Sequence, residues 1–247
     1  MPRLSEIMKT LVIDQGNTST KVGIFDGDEM IHFQRLSAFT VNEVVQIAER
    51  FSVEASILSS VVALDDAFVS ALRFSLPRFV LLDENTPLPI GNLYATPKTL
   101  GRDRLAVCVG ANYIKPNANL LVIDAGTAVT YDIVNDRNQY VGGNISLGLE
   151  MRAKALHDYT SKLPKVELPE AIPMCGTTTE TALQAGIMSG LVYEIDGYIS
   201  SFSAVYPGLS VFLTGGSAFC FERRLKNAIF AHDNLLLLGL NRILTFR

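Results

Sequence analysis

Three short turns in this sequence join glycine to an aspartate or threonine at the end of an apolar run. They are Asp14-Gln15-Gly16-Asn17-Thr18, Asp124-Ala125-Gly126-Thr127-Ala128 and Thr214-Gly215-Gly216-Ser217. A glycine turn lets backbone N–H groups come close to a phosphate, and threonine hydroxyls add donors. An aspartate at the strand end can face a hydrated cation held by that phosphate. One such turn is ordinary turn chemistry, but three of them point to nucleotide binding.

Other chemistries lack their residues. The sequence contains no G-x-x-x-x-G-K-[ST], no G-x-G-x-x-G and no G-x-S-x-G, which excludes a Walker-type ATPase, a Rossmann dinucleotide site and a nucleophile elbow. His32, His157 and His232 are isolated and supply no spacing for a metal site or a Ser-His-Asp triad. Cys108, Cys175 and Cys220 are scattered, as expected of reduced, buried thiols in a cytosolic protein.

The elements that must carry these turns repeat. Leu11-Val12-Ile13-Asp14-Gln15-Gly16 returns as Leu121-Val122-Ile123-Asp124-Ala125-Gly126, an offset of 110 residues from Leu11 to Leu121. Each copy is followed by a second apolar run, Val22–Phe25 and Tyr131–Val134, so each reads as a hairpin. Internal duplication follows, with the Pro/Asn-rich Lys115–Asn119 as the linker. The expected domains are 1–115, with the first turn, and 116–247, with the other two. Between the hairpins, helices are predicted over 41–51 with Asn42 as N-cap, 65–74 and 102–114, and strands over 55–62 and 79–82. The second half predicts helices over 149–163 and 178–202 and a strand over 211–214. Helices mixed with strands, twice over, make the class α/β.

Composition agrees with a globular chain. Of 247 residues, 48% are hydrophobic and 19% charged, and the net charge is -4, a poor match to a nucleic-acid backbone. No apolar run is long enough to span a bilayer, and Met1–Glu6 lacks the apolar core of a leader. Cytoplasmic placement, away from nucleic acid and membrane, is the expectation.

The order of the three turns resembles the actin/hexokinase/Hsp70-like plan. That plan implies two duplicated ribonuclease H-like (actin-like ATPase) domains with a nucleotide cleft between them, each giving a phosphate hairpin, and a Gly-Gly turn for the adenosine. The resemblance narrows at Asp14-Gln15-Gly16-Asn17-Thr18-Ser19-Thr20-Lys21, which is similar to the D-x-G-N-T-x-x-K signature of type III pantothenate kinases. Tyr94-Ala95-Thr96-Pro97-Lys98-Thr99-Leu100-Gly101-Arg102-Asp103-Arg104 resembles their Y-x-x-P-x-x-x-G-x-D-R segment. Asp124–Ala128, Gly142-Gly143-Asn144-Ile145, Gly148, Thr179 with Ala182–Gly186, and Thr214-Gly215-Gly216 match in order and spacing. Gln15 stands where that family often has a small or aliphatic residue.

The resemblance implies ATP-dependent phosphorylation of pantothenate to 4'-phosphopantothenate, the first step towards coenzyme A, with Mg²⁺ and a monovalent cation, K⁺ or NH₄⁺. Rival readings are a sugar or polyol kinase of the same superfold and a non-catalytic accessory protein. The resemblance makes Asp14, Gln15, Gly16, Asn17, Thr18, Ser19, Thr20 and Lys21 the first phosphate loop, adds Thr127 from the second hairpin, and puts the monovalent cation at Asp124. It assigns Asp103 as catalytic base, although from the residues alone Asp103 is an acid at a helix N-terminus, favoured there by the helix dipole. It assigns the pantothenate side to Tyr94, Gly101, Arg102, Asp103, Arg104 and Thr179. It further implies a homodimer whose pocket is completed by the neighbouring copy, and the apolar surplus of the helix from Leu183 to Phe202 is expected to supply that interface.

Overall fold

In the computed structural model, which describes residues 8–169, 171 and 173–246, the chain divides into two units. Met1–Glu6, expected to carry no leader, lies outside the described residues. The first unit runs to Pro116 and resumes at Asn234, and the second spans Asn117–Asp233.

The first unit contains β1 (Lys9–Gln15), β2 (Thr20–Asp26), β3 (Glu29–Leu36), α1 (Val41–Phe51), β4 (Ala55–Ser60), α2 (Asp66–Ser75), β5 (Phe79–Leu81), the two-residue β6 (Gly91–Asn92) and α3 (Arg102–Ile114). The strand order is β3-β2-β1-β4-β5. The first three strands are antiparallel, and β4 and β5 run parallel to β1 and β4 respectively. Alternation sorts β1 by face. Leu11 and Ile13 join Val44, Ile47 and Leu72 of α1 and α2 in one core cluster. Thr10, Val12 and Asp14 take the opposite face. Thr40, not Asn42, caps α1, its hydroxyl accepting the Glu43 N–H at 3.2 Å. β4 stops at Ser60, and Val61 and Val62 are exposed.

The second unit contains β7 (Leu120–Ala125), β8 (Ala128–Val134), β9 (Gln139–Leu147), α4 (Leu149–Asp158), α5 (Thr179–Val205), β10 (Ser210–Thr214) and β11 (Phe230–Ala231). Its strand order, β9-β8-β7-β10-β11, repeats the first unit's order and strand senses. The six-residue repeat is therefore the visible part of a duplicated five-stranded sheet. α5 buries Leu183, Ile187, Leu191, Ile195 and Ile199 against Leu121, Ile123 and Leu213. Its four-residue apolar spacing is consumed within the unit, although Tyr193 and Val205 of the same helix are exposed. A group of exposed apolar side chains lies at the end of β9 and on α4: Ile145, Leu147, Met151 and Leu156, with Tyr159 just beyond the helix. Of the three cysteines Cys108 is buried, whereas Cys175 is exposed and Cys220 intermediate.

The last helix, α6 (Leu235–Thr245), corrects the expected domain limits, because it packs with the first unit although it follows the second in sequence. Two glycines explain the fit. A Cβ on Gly239 would lie 1.8 Å from the Ala106 carbonyl oxygen, and one on Gly110 would lie 2.3 Å from that of Leu235. Side chains at either position would hold α3 and α6 apart. Asn241, fully buried, accepts from Thr10 Oγ1 at 2.6 Å and donates to the Gly27 carbonyl at 2.9 Å, which ties α6 to β1 and to the β2–β3 turn.

Candidate active site

The first phosphate turn grows from β1 and β2. Asp14 pairs with Lys21 and Gln15 with Thr20 in the antiparallel ladder, and Gly16 N–H donates to Ser19 O at 3.1 Å to close the turn. Asn17 and Thr18 are exposed at its tip. Asp14 is buried, and its neighbour on β4 is Ser59. Paired residues of adjacent strands project from the same face. Ser59 Oγ is buried there with no hydrogen-bond partner. Beside it, Ser60 Oγ donates to Gln15 Oε1 at 2.9 Å, and Gln15 O accepts from Val61 N at 3.1 Å, fastening the turn to the end of β4.

The second constellation of this unit surrounds the start of α3. Gly101 is the N-cap and offers no side chain to the first-turn N–H groups. Asp103, the second helical residue, is half-buried and accepts the Arg104 N–H on Oδ1 at 2.9 Å. A Cβ on Gly101 would come within 2.5 Å of that oxygen, so the glycine makes room for the carboxylate. Arg104 is 6% exposed, with its guanidinium carbon 6.0 Å from the Tyr94 ring centroid. Tyr94 and Arg104, expected on the substrate side, are thus brought together. Arg102 turns elsewhere: it donates to the Pro97 carbonyl at 3.2 Å and pairs with Glu84 at 3.4 Å, stapling the segment that precedes the helix.

In the second unit, the second and third glycine turns converge on Asp124. Asp124 pairs with Thr130 on β8 and Thr214 on β10. Gly215 has φ +99°, and a Cβ there would lie 2.4 Å from Asp124 Oδ1 and 2.6 Å from Ala125 backbone atoms. Ser217 N–H donates to Ala125 O at 2.9 Å, closing the Gly-Gly turn over β7. Thr127 is exposed, and its carbonyl accepts the Gly148 N–H at 3.1 Å. A Cβ on Gly148 would fall 2.3 Å from Thr127 O and 2.4 Å from Gly126 O. Next to the Gly-Gly turn is a cavity of about 770 Å³ lined by Ser217, Phe219, Glu222 and Arg223, with Leu149 and Met188 behind. Thr179 is exposed at the first position of α5; the cap itself is Thr178, whose hydroxyl pairs with the main chain and hydroxyl of Thr181.

The donors present suit hard cations and phosphate. Thr130 Oγ1, facing the same side as Asp124, is buried without a hydrogen-bond partner, as Ser59 Oγ is beside Asp14. Each strand-end aspartate therefore has an unsatisfied hydroxyl next to it, which a phosphate or hydrated ion can complete. Among the described residues no three His, Cys, Asp or Glu side chains cluster. The side chains that strand register sets beside the aspartates on β4 and β8, Ser59 and Thr130, both offer oxygen, and Lys21 stands opposite Asp14 on β2. Sequence reasoning did not single out Ser59, Thr130 or the Arg152–Glu194 pair described below, whose partners are brought by register or from distant sequence.

The family model of the type III pantothenate kinases matches residues 10–201. The chain belongs to that family. It is 45% identical over 236 residues to the type III pantothenate kinase of Phocaeicola vulgatus, covering 96% of this chain and 98% of that one. Among solved structures, a Baf family protein from Campylobacter jejuni superposes with TM-score 0.61 at 20% identity, covering 94% of this chain and 96% of that one. A ROK family glucokinase from Streptomyces griseus, in complex with glucose and AMPPNP, gives TM-score 0.51 at 12% identity, over 96% and 98%. The structural likenesses define the fold, that of the actin-like ATPases and sugar kinases. No described helix is long and apolar enough to cross a membrane.

Proposed function

We propose that the protein transfers the γ-phosphoryl group of ATP to the primary hydroxyl of pantothenate, giving 4'-phosphopantothenate and ADP on the way to coenzyme A. Family membership over most of the chain, with every Asp and Gly of the phosphate turns retained, carries this reading. The turn from Asp14 to Lys21 and the exposed Thr127 bind the phosphates of ATP, and the cavity beside Gly215–Gly216 takes the adenosine. Pantothenate lies against Tyr94, Gly101, the backbone of Arg102, and Arg104, and Thr179 contributes to the same substrate. Asp103 orients the hydroxyl. As the hydroxyl oxygen bonds to the γ-phosphorus, the β–γ bridging P–O bond breaks and the proton passes to the Asp103 carboxylate. A carboxylate suffices as base because phosphoryl transfer is largely dissociative and the proton leaves late.

In this reading Asp14 would hold hydrated Mg²⁺ and Asp124 would hold K⁺ or NH₄⁺, with the buried Thr130 hydroxyl beside Asp124 as support for the second. Such cations would supply positive charge against the phosphates. The working form is a cytoplasmic homodimer, supported by the exposed Ile145, Leu147, Met151, Leu156 and Tyr159 of the β9–α4 corner, which a second copy would bury.

One assay tests this reading. ADP release is followed with pantothenate and with a panel of sugars, in potassium and in sodium buffers, for the wild type and Asp103→Asn. The expected result is turnover with pantothenate alone, faster in potassium, and a loss of about a hundredfold or more in Asp103→Asn with unchanged melting temperature. Sugar turnover, or near-normal rates in the folded variant, overturns the assignment. Specific activity that falls on dilution, in step with dissociation seen by sedimentation, supports the dimer; a fully active monomer refutes it.

A further inference from the structure

The second phosphate turn is held from outside by a charged cluster on the helical face of its own unit. Arg152, one turn into α4, donates from Nε to the Leu147 carbonyl at 2.8 Å and from an Nη to Ser146 Oγ at 3.2 Å. The same guanidinium pairs with the Glu194 carboxylate on α5. Glu194 in turn accepts from the fully buried Tyr131 on β8 at 2.8 Å. The cluster is assembled from residues far apart in sequence, and both Arg152 and Glu194 are largely shielded from solvent.

What Arg152 grips is informative. Leu147 and Ser146 are the β9 partners of Ala128 and Val129, the first two residues of β8 as it leaves the turn. Gly148 follows at once, gives its N–H to Thr127 O, and has no room for a Cβ against the Gly126 and Thr127 carbonyls. Any shift of residues 146–148 is therefore passed to Thr127. Tyr131 sits three residues further along β8, so Glu194 anchors both sides of the same strand pair. Burial pushes the Glu194 carboxyl up, but the hydrogen bonds from Arg152 and Tyr131 and the Arg152 charge outweigh it and hold the group below its ordinary value. The carboxylate stays charged, as a charge-assisted clamp requires.

We infer that Arg152, held by Glu194, is a positioning residue that sets the Gly126–Thr127 turn for the phosphates of ATP. The inference rests on the proposed role of Thr127. It gives Arg152 no contact with substrate; its effect runs through Leu147 and Gly148. A guanidinium fork is needed because one side chain must serve a backbone carbonyl, a hydroxyl and a carboxylate at once, which an ammonium serves less well.

Steady-state kinetics on Arg152→Ala, Arg152→Lys, Glu194→Gln, Thr127→Ala and the double variant Thr127→Ala/Arg152→Ala separate the possibilities. Melting temperature is measured alongside. A residue that merely supports the fold lowers melting temperature and the active fraction but leaves KM for ATP where it was. The inference expects Arg152→Ala to raise KM for ATP by about tenfold or more, with KM for pantothenate within about twofold. Arg152→Lys and Glu194→Gln should fall between the wild type and Arg152→Ala. The double variant should be no worse than Thr127→Ala, because the two act through one group. An unchanged KM for ATP in Arg152→Ala, or in Glu194→Gln should the first fail to fold, overturns the inference if Thr127→Ala does raise it. A Thr127→Ala enzyme with normal KM for ATP refutes instead the role of the turn on which the inference stands.

Discussion

The two hairpin turns began as one motif, yet their surroundings differ. At the first, Gly16 is closed by its own hydrogen bond to Ser19, and a Cβ there would meet that oxygen at 3.3 Å, a contact that slight relaxation accommodates. The fastening is to β4, through Ser60, Gln15 and Val61. At the second, Gly148 presses on the turn carbonyls, Gly215 presses on Asp124, and Arg152 fixes the strand that Gly148 continues. Duplication copied the strand order and the Asp-x-Gly, but each copy acquired its own supports. The first turn has an exposed tip at Asn17 and Thr18, and the second is braced on the sides where Gly148 and Gly215 lie.

The strongest way to break this contrast is to add one methyl group on each side. Gly215→Ala combines a backbone at φ +99° with contacts of 2.4 and 2.6 Å, and Gly148→Ala meets two carbonyl oxygens. Each should lower stability by about 2–4 kcal/mol, from strain and overpacking together. Gly16→Ala should cost less than about 1 kcal/mol. Urea unfolding of the three variants checks the order, and a Gly16→Ala as damaging as Gly148→Ala would erase the distinction.

A smaller effect sharpens it through pH. The folded Glu194 carboxyl lies below its ordinary value of about 4.3, so its stabilisation is fully present above that value and is lost as pH falls through the folded one. Glu194→Gln should therefore be less stable than the wild type by about 1 kcal/mol at neutral pH. The gap should narrow as the pH is taken below about 4. Thermal melts across pH 3 to 7 read this; a gap independent of pH would mean that charge plays no part in the clamp.

The smallest effect belongs to the first turn. Ser60→Ala removes the hydroxyl's contacts with Gln15 Oε1 and with the Val62 main chain at a partly exposed site and should cost about 1 kcal/mol. Ser60→Ala should also leave stability independent of pH relative to the wild type, since neither partner titrates. A larger loss would show that the first turn is braced as firmly as the second.

Much of the site was legible as sequence. Asp14, Gly16, Asp124, Gly126 and Gly215 stand out because strand ends and glycine turns are local features with short-range signatures. The same is true of α3, whose predicted limits, 102–114, are those observed. Thr40 was passed over as the α1 cap because Asn42 is an equally good capping residue, and a choice between caps two residues apart depends on the backbone angles of each. β3, half exposed, and β9, interrupted by Gly142-Gly143-Asn144, lack the continuous apolar run that marks the central strands.

By itself the sequence determined the α/β class, the duplication, the places of the phosphate turns and the family, because each rests on residue types at short spacing or on extended similarity. The tertiary structure alone decided the rest. It returned α6 to the first unit, since Gly239 and Gly110 permit an approach to α3 that only facing backbones reveal. It set Ser59 beside Asp14 and Thr130 beside Asp124, because strand register brings them there. It joined Arg152 to Glu194 and Tyr131 across three elements. Contacts between residues far apart in the chain follow from packing, and no local pattern of residue types encodes them.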